Sequence, residues 1–228
     1  MSNRVRVWDP LVRIFHWGLV LGFTIGYLTG EEDNIIHIYS GYVVLGLITF
    51  RVLWGFIGTP YARFRNFVYS PMTVAQYMQD LFAGKPKHYL GHNPAGGWMI
   101  IVMLLTLFVV SISGLKVYAI EEGLGPLASE SSAWSVVGTA RAYEDDNDDD
   151  EHEESEEYEH GESDEYENGH HESEEQEEFW EEIHQTASNF MLLLIILHIA
   201  GVILSSRLHG ENLVKAMISG VKIQKTDV

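Results

Sequence analysis

Four histidines lie in or at the edge of hydrophobic segments of this 228-residue chain: His16, His37, His184 and His198. Ionisable side chains at membrane depth are costly and usually serve chemistry. His184 and His198 are fourteen residues apart. On a helix that spacing keeps them within about 40° of one face and about 21 Å apart along the axis. One ligand then sits near each side of a hydrocarbon core about 30 Å thick. Four imidazoles in two pairs predict two buried hemes, each held by two histidines. Such ligation leaves no open position on iron and suits electron transfer better than oxygen binding.

Composition narrows the cofactor. The chain has no cysteine, so it has no thiolate ligand for an iron–sulfur cluster and no C-x-x-C-H site for covalent heme. Any heme is non-covalent. The formal net charge of −19 is a poor guide to the whole. Residues 144–182 hold 23 of the 33 acidic residues and no Lys or Arg, and without them the charge becomes +4. What remains is mildly basic and strongly apolar.

Four segments are long and apolar enough to cross a bilayer: Leu11–Leu28, Ile36–Ile57, Gly97–Ile120 and Ile183–Leu204. The first is read as a retained span, because no small-residue cleavage pattern follows it. The predicted fold is all-α, one four-helix transmembrane bundle interrupted by a long disordered acidic loop. Residues 1–143 carry three spans, 144–182 the loop, and 183–228 the last span and a tail. Lys and Arg favour the cytoplasmic side. They cluster before or just inside the first span (Arg4, Arg6, Arg13), between the second and third (Arg63, Arg65, Lys85, Lys87) and after the fourth (Arg207, Lys215, Lys222, Lys225). Both termini are therefore expected in the cytoplasm and the acidic tract outside it.

That topology pairs the ligands by depth. His16 begins the first span on the inner side, and His198 is the inner histidine of the last span. His37 and His184 both lie at outer helix starts. His209, eleven residues beyond His198 on nearly the same face, competes as a ligand but lies past the apolar run. His88 and His92 precede the third span and read as loop histidines. Arg51 is fourteen residues after His37 on the same face. It suits a heme propionate or a quinone, the alternative being an interfacial arginine that snorkels to water.

Glycines add a weaker signal. Gly18, Gly22 and Gly26 recur every four residues, which fits either close helix packing or room for a porphyrin edge. Gly41 and Gly201, each about one turn from a histidine, leave space for a flat macrocycle. Between the second and third spans, "TVAQYMQDLFAG" reads as an amphipathic surface helix, and "ENLVKAMISGVKI" after the fourth as another. Asn93 and Pro94 should start the third span. The acidic tract, with His152, His160, His170 and His171, reads as a solvated linker, a weak divalent-metal binder or a docking element for a basic outer partner.

These motifs resemble the bacterial cytochrome b561 family, including the cytochrome b subunits of nickel–iron hydrogenases. The resemblance rests on "VRIFHW" at residues 12–17, "IIHIYSG" at 35–41 with Arg51 downstream, "GHNP" at 91–94 and "IHQTASNFMLLLIILH" at 183–198. It covers nearly all the chain outside the acidic tract, which departs from the family pattern. It implies a respiratory membrane protein of the bacterial inner membrane with two b hemes. Electrons would pass between quinone or quinol and a c-type cytochrome or hydrogenase-like redox subunit. His16, His37, His184 and His198 carry over as ligands, and Arg51 as a propionate or quinone contact. No nucleic-acid partner is expected. Two alternatives stand beside this electron conduit: a quinone-linked oxidoreductase acting on a small substrate at its outer heme, and a metal-binding membrane protein.

Overall fold

Lipid offers the backbone no hydrogen-bond partners, so an apolar run long enough to cross it must be helical. Among the described residues four helices are of this kind: Pro10–Leu28, Ile35–Ile57, Pro94–Glu121 and the stretch Glu174–His209 of a longer helix. The computed structural model describes residues 3–30, 34–128 and 163–224. Its elements, in chain order, are β1 (Asn3–Arg6), α1 (Pro10–Leu28), α2 (Ile35–Ile57), a 3-10 turn (Phe64–Asn66), α3 (Pro71–Phe82), α4 (Pro94–Glu121), α5 (Ser163–His209), α6 (Leu213–Ser219) and β2 (Val221–Gln224). The chain divides into two compact units, Met1–Ser111 with Ala187–Val228, and Ile112–Thr186.

Local chemistry sets the helix starts. Asp9 caps α1, its Oδ1 accepting from the Val12 amide at 2.9 Å, with Pro10 at the first position. Asn34 caps α2 through the Ile36 amide. Ser70 caps α3 before Pro71. Asn93 Oδ1 accepts from the Gly96 amide at 2.7 Å, just ahead of Pro94. Each cap satisfies an amide that the first helical turn cannot.

The core of the first unit draws on α1, α2, α4 and α5 through Phe15, Val44, Ile48, Leu104, Leu107, Met191 and Leu194. Between membrane helices, packing rather than water exclusion supplies the attraction, so small residues matter. A Cβ on Gly22 would come within 3.1 Å of Val44, and one on Gly26 within 2.8 Å of the Ser40 hydroxyl. The Gly18–Gly22–Gly26 stripe therefore serves the α1–α2 contact, and no porphyrin edge fits at Gly22 or Gly26. Large apolar side chains such as Ile14 (67% exposed) and Ile57 (73%) face outward, as a lipid environment allows.

Two features depart from the sequence expectation. Helix α5 reaches back to Ser163, so residues 163–182 are helical rather than disordered; residues 144–162 of the tract, with His152 and His160, lie outside the described residues. Glu is a good helix former, and a helix extends from an existing span without a new nucleation step. The second feature is an antiparallel pair of short strands, β1 with β2, in register Asn3 opposite Gln224 through Arg6 opposite Val221. The segment "ENLVKAMISGVKI" is thus only partly helical. It becomes α6, a left-handed turn at Gly220 (φ 80°), and then β2. The Gly220 carbonyl accepts from the amides of Val7 and Trp8.

Candidate functional site

His16 sits in the second turn of α1 and His198 well inside α5, and both belong to the first unit. They are electrostatic neighbours, and His16 Nδ1 is buried with no hydrogen-bond partner. Two imidazoles from different helices meeting in an apolar interior fit a metal centre of the heme type, for which neutral ring nitrogens are the ordinary axial ligands.

His37 stands at the start of α2. Its Nδ1 lies 2.9 Å from the Gly26 carbonyl. A carbonyl only accepts, so Nδ1 carries the proton and Nε2 carries the lone pair. This is how iron- and zinc-bound histidines are commonly oriented. His184 belongs to the second unit. Its Nδ1 is 3.2 Å from the Ser113 hydroxyl. A Cβ on Gly114 would lie 2.9 Å from its ring, so glycine there makes room for the imidazole. The structure thus brings His16 and His198 together and gives His37 and His184 separate polar neighbours, the Gly26 carbonyl and the Ser113 hydroxyl. Gly41 and Gly201 each have nothing within 4 Å of an added Cβ, which leaves the space the macrocycle reading requires.

Arg51 is 3% exposed, so it does not snorkel to water. Its guanidinium lies over the rings of Phe64 (4.8 Å) and Phe67 (5.8 Å), and Nη1 is buried without a hydrogen-bond partner. Among the described residues the ion pairs are His88 with Glu211 and Lys222 with Glu211, neither involving Arg51. A buried guanidinium with a spare donor fits an anionic or carbonyl group such as a heme propionate.

His92 carries more than a loop position implies. Its ring lies between Trp8 (centroids 4.5 Å apart) and Phe67 (4.6 Å), and Nδ1 is buried without a partner. Burial first, then the charges of Arg51 and Lys222 and the neighbouring His198, push its pKa down to about 3. The imidazole is neutral at ordinary pH. A cavity of about 300 Å³ opens beside it, walled by Tyr61, Phe67, Tyr69, Tyr89 and Leu90 among others. Burial and the neighbouring Tyr89 raise the Tyr69 pKa, so that hydroxyl stays a neutral donor. The sequence signal that could have found this group is the pairing of "VWDP" with "GHNP", each ordinary alone.

His88 is a loop histidine bonded to Glu211 at 2.8 Å. His209 closes α5, with Nδ1 on the Ser205 carbonyl and its ring 5.2 Å from that of His88.

Comparison with known proteins agrees with this chemistry. Three relatives carry the name "Probable Ni/Fe-hydrogenase B-type cytochrome subunit". That of Azotobacter chroococcum mcd 1 is 28% identical over 166 residues, covering 59% of this chain and 68% of the relative. That of Azotobacter vinelandii is 30% identical over 155 residues, covering 54% and 62%. That of Rhodobacter capsulatus is 26% identical over 165 residues, covering 59% and 62%. The chain thus spans about two thirds of the length of these relatives. No solved structure matches. The sequence model of the prokaryotic cytochrome b561 family matches residues 7–220, so this chain, with its four apolar helices, belongs to that family of multi-pass membrane b-type cytochromes of electron transfer.

Proposed function

We propose that the chain is a di-heme cytochrome b of the bacterial inner membrane that carries electrons between the quinone pool and a hydrogenase-type or c-type cytochrome partner. His16 and His198 hold one heme and His37 and His184 the other, with both termini in the cytoplasm. When bound, heme b supplies reversible one-electron chemistry. Of the chain's own residues, the paired histidines would hold its iron and Arg51 would take a propionate. The observation that carries this reading is the meeting of His16 and His198, from α1 and α5, inside one compact unit with Arg51 and His92.

The quinone part is supported by the aromatic cavity beside His92, whose volume suits a planar ring of that size and whose wall offers imidazole and phenol groups to carbonyl oxygens. The redox partner is supported by the printed names of the relatives. The deciding experiment is a reduced-minus-oxidised visible spectrum of the purified protein with heme quantified per chain. Two low-spin b hemes support the reading; one heme, or none, overturns it.

A further inference from the structure

We propose that Asp9 is a charge-setting residue for the heme of His16 and His198, a buried carboxylate that offsets Arg51 and holds that heme's reduction potential down. The inference rests on the ligand assignment just given. Asp9 lies seven residues before His16, two helical turns along nearly the same line of α1. It is 9% exposed. Its Oδ1 accepts from the Val12 amide at 2.9 Å. Its Oδ2 accepts from the Thr59 hydroxyl at 2.6 Å and the Trp54 indole at 3.3 Å. Trp54 lies in α2 and Thr59 just past its end, on the helix that carries Arg51.

Three donors converging on one carboxylate stabilise its ionised form. Burial pushes the Asp9 pKa up, but the bonds from Thr59, Val12 and Trp54 outweigh it, and the group ends below the usual carboxylate range. A cap alone does not require a charge, since Asn and Ser cap helices about as well. The charge has a different addressee. Arg51 feels Asp9 electrostatically, and no ion pair among the described residues neutralises either group. In a poorly solvated interior both fields reach far. An electron added to a nearby centre is repelled by Asp9 and attracted by Arg51. Removing the carboxylate deletes one negative charge from that surrounding and makes reduction easier.

The test is an equilibrium redox titration of the purified heme-loaded protein, followed in the visible spectrum. Asp9→Asn and Asp9→Ser are both neutral and able to cap, so one of them remains informative if the other fails to fold. Asp9→Glu is the charged control. The proposal requires the midpoint of one spectral component to rise in the neutral variants and to stay near wild type in Asp9→Glu. The component that moves must be the one lost in His16→Ala. Unmoved midpoints in a neutral variant that keeps its heme overturn the proposal and leave Asp9 a cap. Retention of both hemes in His16→Ala overturns the ligand assignment, and the proposal falls with it.

Discussion

The Nδ1 of His37 is held 2.9 Å from the Gly26 carbonyl, so the turn at the end of α1 sets which nitrogen of a residue on α2 carries the proton. The orientation of this imidazole is thus set partly by a backbone group of the neighbouring helix. Substitutions near the histidines should then be nearly as informative as substitutions of the histidines themselves.

Removing ligands should separate the hemes in pairs. His16→Ala and His198→Ala are expected to lose the same half of the b-type absorbance, and His37→Ala and His184→Ala the other half. A pyridine hemochrome assay of the purified variants counts the hemes that remain, and a redox titration followed in the visible spectrum identifies which component is missing. Loss of one common component in all four variants would refute the pairing.

The glycines make opposite predictions. Gly114→Ala places a methyl 2.9 Å from the His184 ring and should displace it, lowering heme content. Gly41→Ala and Gly201→Ala meet no protein atom within 4 Å. They should raise helix stability by about 1 kcal/mol or less. If the macrocycles occupy that space, they should also lower heme content while thermal unfolding of the heme-free protein stays at or above wild type. Full heme content in both would place the rings elsewhere.

Acid should weaken the fold through His92. Its folded pKa of about 3 lies below the ordinary value of about 6.5. The unfolded chain therefore binds the proton first. The stability from keeping the ring neutral is present above pH 6.5 and is lost progressively as pH falls toward 3, at no more than about 1.4 kcal/mol per pH unit. Thermal unfolding in detergent at pH 7 and pH 5 should show the gap between wild type and His92→Gln narrowing at the lower pH. A gap independent of pH would show that His92 acts through packing alone.

Topology is a separate test. A reporter fused after Val228 should report the cytoplasm, and a tag placed within residues 144–182 should be reached by protease added to intact spheroplasts. Protection of that tag would invert the orientation and exchange the inner and outer roles of the two histidine pairs.

The spans were legible because apolar length is a one-dimensional signal. The observed ends of α1 and α2 lie within one residue of the sequence reading, and α4 begins at Pro94 behind the Asn93 cap, as that pair of residues predicts, three residues ahead of the apolar run. Arg51 and the four histidines stood out because charge and imidazole are rare in such runs. Three things were not legible. The strands β1 and β2 are four residues each and lie at opposite ends of the sequence, so neither carries a pattern without the other. Asp9 carries no sign of burial in the sequence until Thr59 and Trp54 fold onto it. His92 reads as a loop residue until Trp8 and Phe67 enclose it, since burial is decided by residues far away in sequence.

The pairing of β1 with β2 makes the chain nearly a ring. Residues 3–6 and 221–224 lie side by side, so the number of crossings between them must be even, and a protein that lost one span would have to tear this seam apart. It also means that the first-made strand has no partner until the last is synthesised. A circularly permuted gene, with these ends joined by a short linker and new termini opened at the Gly84 turn after α3, should still give the same cytochrome.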